Sequence, residues 1–287
     1  CENLREVYLP KNMWRISGAA FYRCHSLEFV RLPENLGVID MYAFSQCTSL
    51  VDIRIPNSVQ KIGNSAFLGC SRLTHVVLPE GLPEIGLTCF RGCASLREIR
   101  IPESVNRLAF AAFENCTGLE CIHIPEGVKV LGNYLFNGCT SLRTVDIPGS
   151  VTEILDNTFE DCDSLEEITI PAAVTGIGAE AFLNCSGLET VRILGKSVKI
   201  SASAFHGTGA EIIVDGLTLG KLPKDARENT LKAFARRVAD GEDIPDGHRT
   251  QCMKYIRRAG EKLLPLAETE PALMELLEKE GLLKENP

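Results

Sequence analysis

The sequence predicts a β-rich repeat solenoid over residues 1–220, followed by a small α-helical segment over residues 221–287. Two observations predict this architecture. Cysteine, phenylalanine and proline recur every 23 residues, and after residue 220 the apolar pattern takes a helical period. The charge also changes there: residues 221–287 hold 13 basic and 13 acidic side chains, so residues 1–220 carry the whole net charge of −8.

The 23-residue period runs through nine units in residues 1–207. Cysteine occupies one position of each unit: Cys1, Cys24, Cys47, Cys70, Cys93, Cys116, Cys139, Cys162 and Cys185. Phenylalanine occupies another: Phe21, Phe44, Phe67, Phe90, Phe113, Phe136, Phe159, Phe182 and Phe205. A constant period of this length is typical of a solenoid, because stacked units bury a face that one unit cannot bury alone.

One unit contains a short strand. Residues 50–55 alternate between apolar and polar side chains, which predicts that Ile53 and Ile55 face the core. Pro56 ends the strand because proline cannot donate a ladder hydrogen bond. Phe67 and Cys70 are expected to close the unit through a single helical or 3₁₀ turn. Stacked copies therefore predict a parallel strand ladder with short turns or 3₁₀ segments on the other side.

The unit resembles the leucine-rich repeat of the BspA-like family, in which L-x-x-[IV]-x-[LI]-P is joined to A-F-x-x-C. In one unit the matching residues are Leu27, Val30, Leu32, Pro33, Ile39, Ala43, Phe44 and Cys47. The resemblance covers residues 1–207, although the ninth unit has Leu194 where proline is expected. It implies a bacterial protein, cell-surface or secreted, that binds proteins or host surfaces; a cytoplasmic protein is the alternative. It implies no catalytic motif and no cofactor.

The two ends of the solenoid differ. Residues 208–220 are predicted to form a hairpin cap, because Asp215-Gly216 separates two apolar runs and a capped strand edge is protected. The chain begins inside a repeat, which indicates that upstream sequence is missing. Leu4, Val7 and Leu9 are therefore expected to form an uncapped edge, which pairs with a neighbouring molecule or frays.

Residues 221–287 are predicted to be helical. The apolar stripes are Leu231, Phe234, Ala235 and Val238, ending near Gly241; Cys252, Ile256, Ala259 and Leu263, ending before Pro265; and Leu273, Leu276 and Leu277, between Pro271 and Gly281. This helical tail is interpreted either as a docking module or as a cover for the last repeats. Its basic residues Arg236, Arg237, Lys254, Arg257 and Arg258 are interpreted as solvated helix faces.

The repeated cysteines are predicted to be reduced and buried. A disulfide would break the uniformity of the repeat, and free cysteine is among the most buried residue types. A column of single ligands also lacks the convergence of a zinc site. Cys121 differs, because it lies on the polar face of its strand with His123, one repeat from Glu98. A metal- or thiol-dependent activity there is one alternative, and an ordinary mixed surface patch is the other.

The outward positions of the strands supply the candidate binding residues. They are Tyr8, Phe29, Arg31, Asp52, Arg54, His75, Arg100 and His123. Aromatic and arginine side chains are enriched at interface hot spots, and an exposed Phe29 has no role in the core. Trp14 is expected to flank this patch. The alternative is a self-neutralising charged ladder, in which Asp52 and Glu98 offset the arginines.

We therefore predict a non-catalytic module that binds protein or glycan through the sheet face. The alternative is a structural or assembly protein that associates with itself through the solenoid ends or the tail. An enzyme is disfavoured because no nucleophile–base pair, phosphate loop or metal site is complete. The net charge of −8 argues against nucleic acid as a partner, and no apolar run is long enough for membrane insertion.

Overall fold

The computed structural model describes residues 1, 3–215 and 217–283, which form a stack of coils followed by helices. The strands are β1 (Glu6–Tyr8), β2 (Arg15–Ile16), β3 (Phe29–Arg31), β4 (Val38–Ile39), β5 (Asp52–Arg54), β6 (Lys61–Ile62), β7 (His75–Val77), β8 (Glu84–Ile85), β9 (Arg107–Leu108), β10 (Cys121–His123), β11 (Val130–Leu131), β12 (Thr144–Asp146), β13 (Glu153–Ile154), β14 (Glu167–Ile170), β15 (Gly176–Ile177), β16 (Thr190–Ile193), β17 (Lys199–Ile200) and β18 (Glu211–Val214). The helices are α1 (Lys224–Ala239), α2 (Asp246–Ala259), α3 (Leu264–Ala267) and α4 (Pro271–Lys279).

The strands form two stacks on different sides of the solenoid. The front sheet contains β1, β3, β5, β7, β10, β12, β14, β16 and β18, and the second sheet contains β2, β4, β6, β8, β9, β11, β13, β15 and β17. Neighbouring strands are parallel with a register of one repeat, as where Val7 lies opposite Val30. The predicted parallel ladder is confirmed, and the second sheet is an addition that the sequence analysis did not predict.

The front sheet is interrupted in the fifth coil. Residues 98–100 place one buried side chain, Ile99, between exposed Glu98 and Arg100, as the strands do, but they form no strand. Among the described residues, this gap separates β5–β7 from β10–β12, and the strand ladder is also broken between β3 and β5 and between β12 and β14.

The segment expected to be one helical or 3₁₀ turn is instead a series of tight turns. In the third coil the Cys70 N–H bonds the Phe67 carbonyl at 3.1 Å, while the Phe67 N–H bonds the Cys89 carbonyl of the next coil at 3.0 Å. Gly69 ends this segment at φ +71°, a left-handed conformation that glycine adopts without steric cost. The turns thus add a third row of hydrogen bonds between coils.

The core consists of the predicted columns. The phenylalanine rings from Phe21 to Phe205 stack nearly parallel, with centroids 5.2–5.8 Å apart. The column cysteines from Cys24 to Cys185 are buried and unpaired. Each thiol from Cys47 onward bonds a phenylalanine carbonyl of an earlier coil, as where Cys116 Sγ donates to the Phe90 oxygen at 3.1 Å. Because the thiols have hydrogen-bond partners, their burial leaves no donor unsatisfied.

The C-terminal end of the solenoid is closed by the tail and not by a hairpin. β18 pairs in parallel with β16, and Leu217-Thr218-Leu219, expected as the return strand, forms no strand and leads into the 3₁₀ helix Leu219–Lys221. Gly216, part of the expected turn, lies outside the described residues. The edge of β18 is covered by α1: the Ile212 N–H donates to Thr230 Oγ1 at 2.9 Å. The tail therefore replaces the predicted cap.

The three predicted helical stripes correspond to α1, α2 and α4. α2 ends at Ala259, where Gly260 takes φ +51°, and a 3₁₀ segment, Gly260–Leu263, leads into α3. Pro265 therefore lies in the first turn of α3 and does not terminate the preceding helix. The apolar faces of α1, α2 and α4 join the core of the solenoid. Of the described helices, none combines the length and hydropathy needed to cross a bilayer.

Candidate functional site

The candidate binding residues are all on the front sheet or on residues 98–100, and all are exposed to solvent. Tyr8 and Phe29 lie on adjacent strands with ring centroids 5.9 Å apart, and 65% of Tyr8 and 38% of Phe29 is exposed. Tyr8 Oη donates a hydrogen bond to Glu6 at 3.1 Å, and this bond raises the pKa of Tyr8. An aromatic pair without a core role thus marks the N-terminal end of the front sheet.

Arg54 occupies the centre of the predicted patch. It lines a cavity of about 330 Å³ together with Glu34, Val77, Glu80 and Arg100. Glu80 forms an ion pair with Arg100, so Arg100 is neutralised from the loop after β7 and not by Glu98. The arginines of the front sheet are therefore neutralised in part by an acidic side chain outside the sheet, Glu80.

The remaining predicted residues converge on a groove. The central part of the front sheet, from His75 to Thr169, lines an open concave cavity of about 840 Å³ that includes Arg100 and His123. His123 Nδ1 lies 2.9 Å from Asp146 Oδ2, and its Nε2 lies 3.7 Å from Glu103 Oε1. Paired charges around a concave sheet suit recognition of a polar surface, with complementarity rather than net charge giving specificity.

Cys121 lies in this groove beside His123 and is exposed. Among the described residues, no three histidine, cysteine, aspartate or glutamate side chains are placed to hold a metal ion. Asp146 and Glu103 each lie near one ring nitrogen of His123, so neither nitrogen is directed at the Cys121 thiol. Cys121 therefore lies among charged and polar side chains of the front sheet.

Trp14 does not lie in the front sheet. It directly precedes β2 of the second sheet, and 59% of it is exposed. Sequence reasoning also missed an exposed apolar row on the turn side, formed by Met41, Leu87 and Phe110. Asn64 holds the same repeat position, and its Oδ1 accepts a hydrogen bond from the Leu87 N–H at 3.0 Å. Large apolar side chains at a position that can also be polar were the sequence signal for this exposed row.

A buried polar cluster between β18 and the tail was also missed. Glu211 Oε1 lies 2.9 Å from His248 Nε2 and Glu211 Oε2 lies 3.0 Å from Arg237 Nη1. Burial favours the neutral form of Glu211, but the hydrogen bonds and charges of His248 and Arg237 outweigh burial and lower its pKa. A spacing of 23 residues would put Glu211 at the leucine position of the repeat, but β18 pairs with β16 at a spacing of 21 residues, so Glu211 takes the outward position opposite Thr190.

This cluster contains the elements of a thiol–histidine–carboxylate triad in the wrong arrangement. Cys252 Sγ lies 3.6 Å from His248 Nε2, the same nitrogen that bonds Glu211. In a triad the base is oriented through one ring nitrogen and acts on the nucleophile through the other. Burial also raises the pKa of Cys252, and both side chains are fully buried. The cluster fastens the tail to the solenoid.

Comparison with known families decides the relationship. The model of the BspA-type leucine-rich repeat region, defined with 6 copies, matches residues 1–120 and 106–231. The chain belongs to this family. The stacked coils of this BspA-type leucine-rich repeat protein place the outward faces of the front-sheet strands along one side of the solenoid.

Solved structures show the same fold. A leucine-rich repeat protein from T. pallidum is 32% identical with a TM-score of 0.53, over 56% of this chain and 78% of that chain. The pneumococcal vaccine antigen PcpA is 20% identical with a TM-score of 0.50, over 75% of this chain and 56% of that chain. The second likeness concerns the fold alone. No curated protein matches the sequence.

Proposed function

We propose that this protein is a non-catalytic binding module that recognises a protein, or alternatively a glycan, on its front sheet. One observation carries the proposal. The outward side chains of the front sheet are exposed from β1 to β14, whereas the outward residues of β18, Glu211 and Ile213, are buried beneath the tail. Family membership supports a binding role, because solenoids of this kind offer a long sheet as a recognition surface.

The recognition surface has two parts with different chemistry. Tyr8 and Phe29 supply apolar contact area at the N-terminal end, and side chains of this type dominate interface energies. The groove from His75 to Thr169 supplies paired charges and a concave shape. A partner that lies along the strand stack would contact both parts, and Arg31, Asp52 and Arg54 lie between them.

The experiment compares two double variants with the same chemical changes. Phe29→Ala with Arg54→Glu alters the front sheet, and Phe110→Ala with Lys61→Glu alters exposed side chains outside it. Immobilised wild-type protein is first screened against arrays of purified extracellular proteins and of glycans. Every retained ligand is expected to lose about tenfold affinity or more for the front-sheet variant, because hot-spot residues contribute that much.

The control variant is expected to bind such ligands like the wild type. If both variants bind equally well, if only the control loses affinity, or if neither array yields a ligand, the front sheet is not a recognition surface. Thermal unfolding of both variants verifies that the solenoid is intact.

Self-association is the second candidate, and the first coil favours it. Leu4, Val7 and Leu9 are only half-buried, and Phe21 is half-buried while Phe44 beneath it is fully buried. The tail covers the opposite end, so this mode brings the first coils of two molecules together. Sedimentation velocity tests it: a mass that rises with concentration, and stops rising in Val7→Glu, supports association through this edge.

A further inference from the structure

A cleft in the helical tail carries an unassigned cluster of cations. It lies between the 3₁₀ helix Leu219–Lys221 and α2, and has a volume of about 390 Å³. The α2 residues Gln251, Lys254, Tyr255 and Arg258 stand at i, i+3, i+4 and i+7, so they share one helix face. Lys262, in the 3₁₀ segment after α2, completes the cationic wall.

No acidic side chain among the described residues forms an ion pair with the cations of this cleft. None of its lining side chains is acidic, and no ion pair within the described ranges involves Lys254, Arg258 or Lys262. Two other arginines of the tail are paired with acids, since Arg236 contacts Glu270 and Arg257 lies 3.0 Å from Glu280.

Residues 221–287 hold equal numbers of acidic and basic side chains. The excess of positive charge in the cleft therefore arises from how the fold distributes these side chains and not from the composition of the segment. Helix-dipole compensation accounts for cations in the last turn of α2 such as Arg258, but not for Lys254 one turn earlier or Lys262 beyond the helix. The interpretation of these side chains as solvated helix faces does not explain their convergence on one cleft.

The cleft also has a rigid apolar wall. The Arg227 guanidinium lies 5.4 Å from the centroid of the Tyr255 ring, and Arg227 Nη1 donates to the Leu222 carbonyl at 3.2 Å. Arg227 thus holds the ring in place and adds positive charge behind it. Gln251 and Thr218 provide neutral polar groups at the same cleft. Apolar surface with a few convergent polar groups is typical of a small-molecule site.

We propose that this cleft binds a small ligand carrying a phosphate or sulfate ester, such as a charged sugar. Lys254, Arg258 and Lys262 bind the oxyanion, and guanidinium and ammonium groups are the usual protein partners of such groups. Tyr255 and Ala259 contact the apolar side of the ligand. The size of the cleft and the acidic solenoid beside it disfavour an extended polyanion.

Isothermal titration of the full chain at low salt tests the site with pyrophosphate, glucose 6-phosphate, glucose 6-sulfate and glucose. The charged probes are expected to bind and glucose is not, with affinity falling as salt rises. Lys254→Ala with Arg258→Ala is expected to weaken binding about tenfold or more, since two charged contacts are lost. Binding of one ester and not the other identifies the source of the oxyanion.

The control is Lys232→Ala with Arg249→Ala, which removes one cation from α1 and one from α2, both outside the cleft. Alanine suits helix surfaces, so both variants are expected to fold, and circular dichroism verifies this. The site is refuted if no charged probe binds to the wild type, or if the two double variants lose affinity equally. The front sheet is unchanged in these variants, so failure here is independent of its proposed role.

Discussion

At the residue scale, the phenylalanine column is the part of the core with the largest consequence for stability. Phe113 is fully buried between Phe90 and Phe136, with ring centroids 5.7 and 5.8 Å away. Each ring therefore contacts the coils on both sides. Removing one ring leaves a cavity, because the neighbouring coils are closely packed and relax only partially into the space. Three residues earlier, Phe110 is 46% exposed. A phenylalanine therefore contributes to folding stability according to its burial and not according to its residue type alone.

We expect Phe113→Ala to lower the free energy of unfolding by about 3–5 kcal/mol, because a buried aromatic side chain is replaced by a cavity. Phe110→Ala is the matched control, with an expected loss of about 1 kcal/mol from its contact with Tyr134. Urea unfolding measures both. Similar losses in the two variants would contradict the stacked column.

The cysteine column makes a second prediction at this scale. Burial raises the pKa of Cys47, Cys116 and Cys185 to about 12, so these thiols stay protonated and unreactive at pH 8. In the native protein we expect a thiol reagent to modify only the exposed Cys1 and Cys121 rapidly. The other thiols should react only in denaturant, as counted by mass spectrometry. Rapid native labelling of a column cysteine would show that the core is open.

At the element scale, the tail is fixed to β18 by a buried carboxylate. Glu211 is 6% exposed and His248 is fully buried, so loss of one partner leaves the other polar group without compensation. By contrast, the pair between Arg257 and Glu280 is half in solvent and contributes little. Two ion pairs with the same 3.0 Å separation, Arg237–Glu211 and Arg257–Glu280, thus differ in energetic weight because of burial.

Glu211→Ala is expected to destabilise the docked tail by about 3–5 kcal/mol. Glu280→Ala should change stability by less than about 1 kcal/mol, because exposed pairs contribute little. Hydrogen exchange of the α1 and α2 amides measures both effects. Unaltered protection of α1 in Glu211→Ala would mean that the apolar contacts alone hold the tail.

The same carboxylate gives the tail a dependence on pH. The pKa of Glu211 is lowered in the folded protein, so its contribution is complete above the unfolded pKa of about 4.3 and is lost as the pH falls through the lower folded value. Wild-type protection of α1 should therefore decrease below about pH 4, and this component should be absent in Glu211→Gln. Exchange measured between pH 3 and 6 checks the difference.

The sequence predicted the elements that the repeat determines and missed those that depend on its departures. The spacing alone places Phe113, Cys116 and Ile122 in the core, and it places Phe29 on the exposed face. It does not place Glu211, because β18 is shifted by two residues relative to the repeat. Nor does it bring Lys254 and Lys262 together, since that requires the break at Gly260 and the position of α2 against the 3₁₀ helix.

At the scale of the whole molecule, the helical tail protects the last coil of the solenoid. The last strand has its edge bonded by Thr230 and its outward residues Glu211 and Ile213 buried. Exposed strand edges invite pairing with other chains, so the tail keeps β18 from associating.

Deleting residues 224–287 is expected to expose β18 and cause association or aggregation. A chain ending at Leu283 keeps α1 to α4 and serves as the control. Light scattering after gel filtration measures both masses across a range of concentrations. A monodisperse deletion variant with the mass of the control would show that the tail is not needed to protect this end.

The equal length of the coils also has a consequence for how such a chain changes size. Residues 70–92 form one complete coil, and their removal would join Gly69 to Cys93, which recreates the Gly-Cys pair already present at both of its borders. The shortened molecule would lose about 4.8 Å of reach, the spacing of one strand, with no new junction to accommodate. Gain or loss of whole 23-residue coils can therefore change the length of the solenoid in fixed increments. Such a change leaves the Tyr8–Phe29 pair and the helices docked on β18 unaltered.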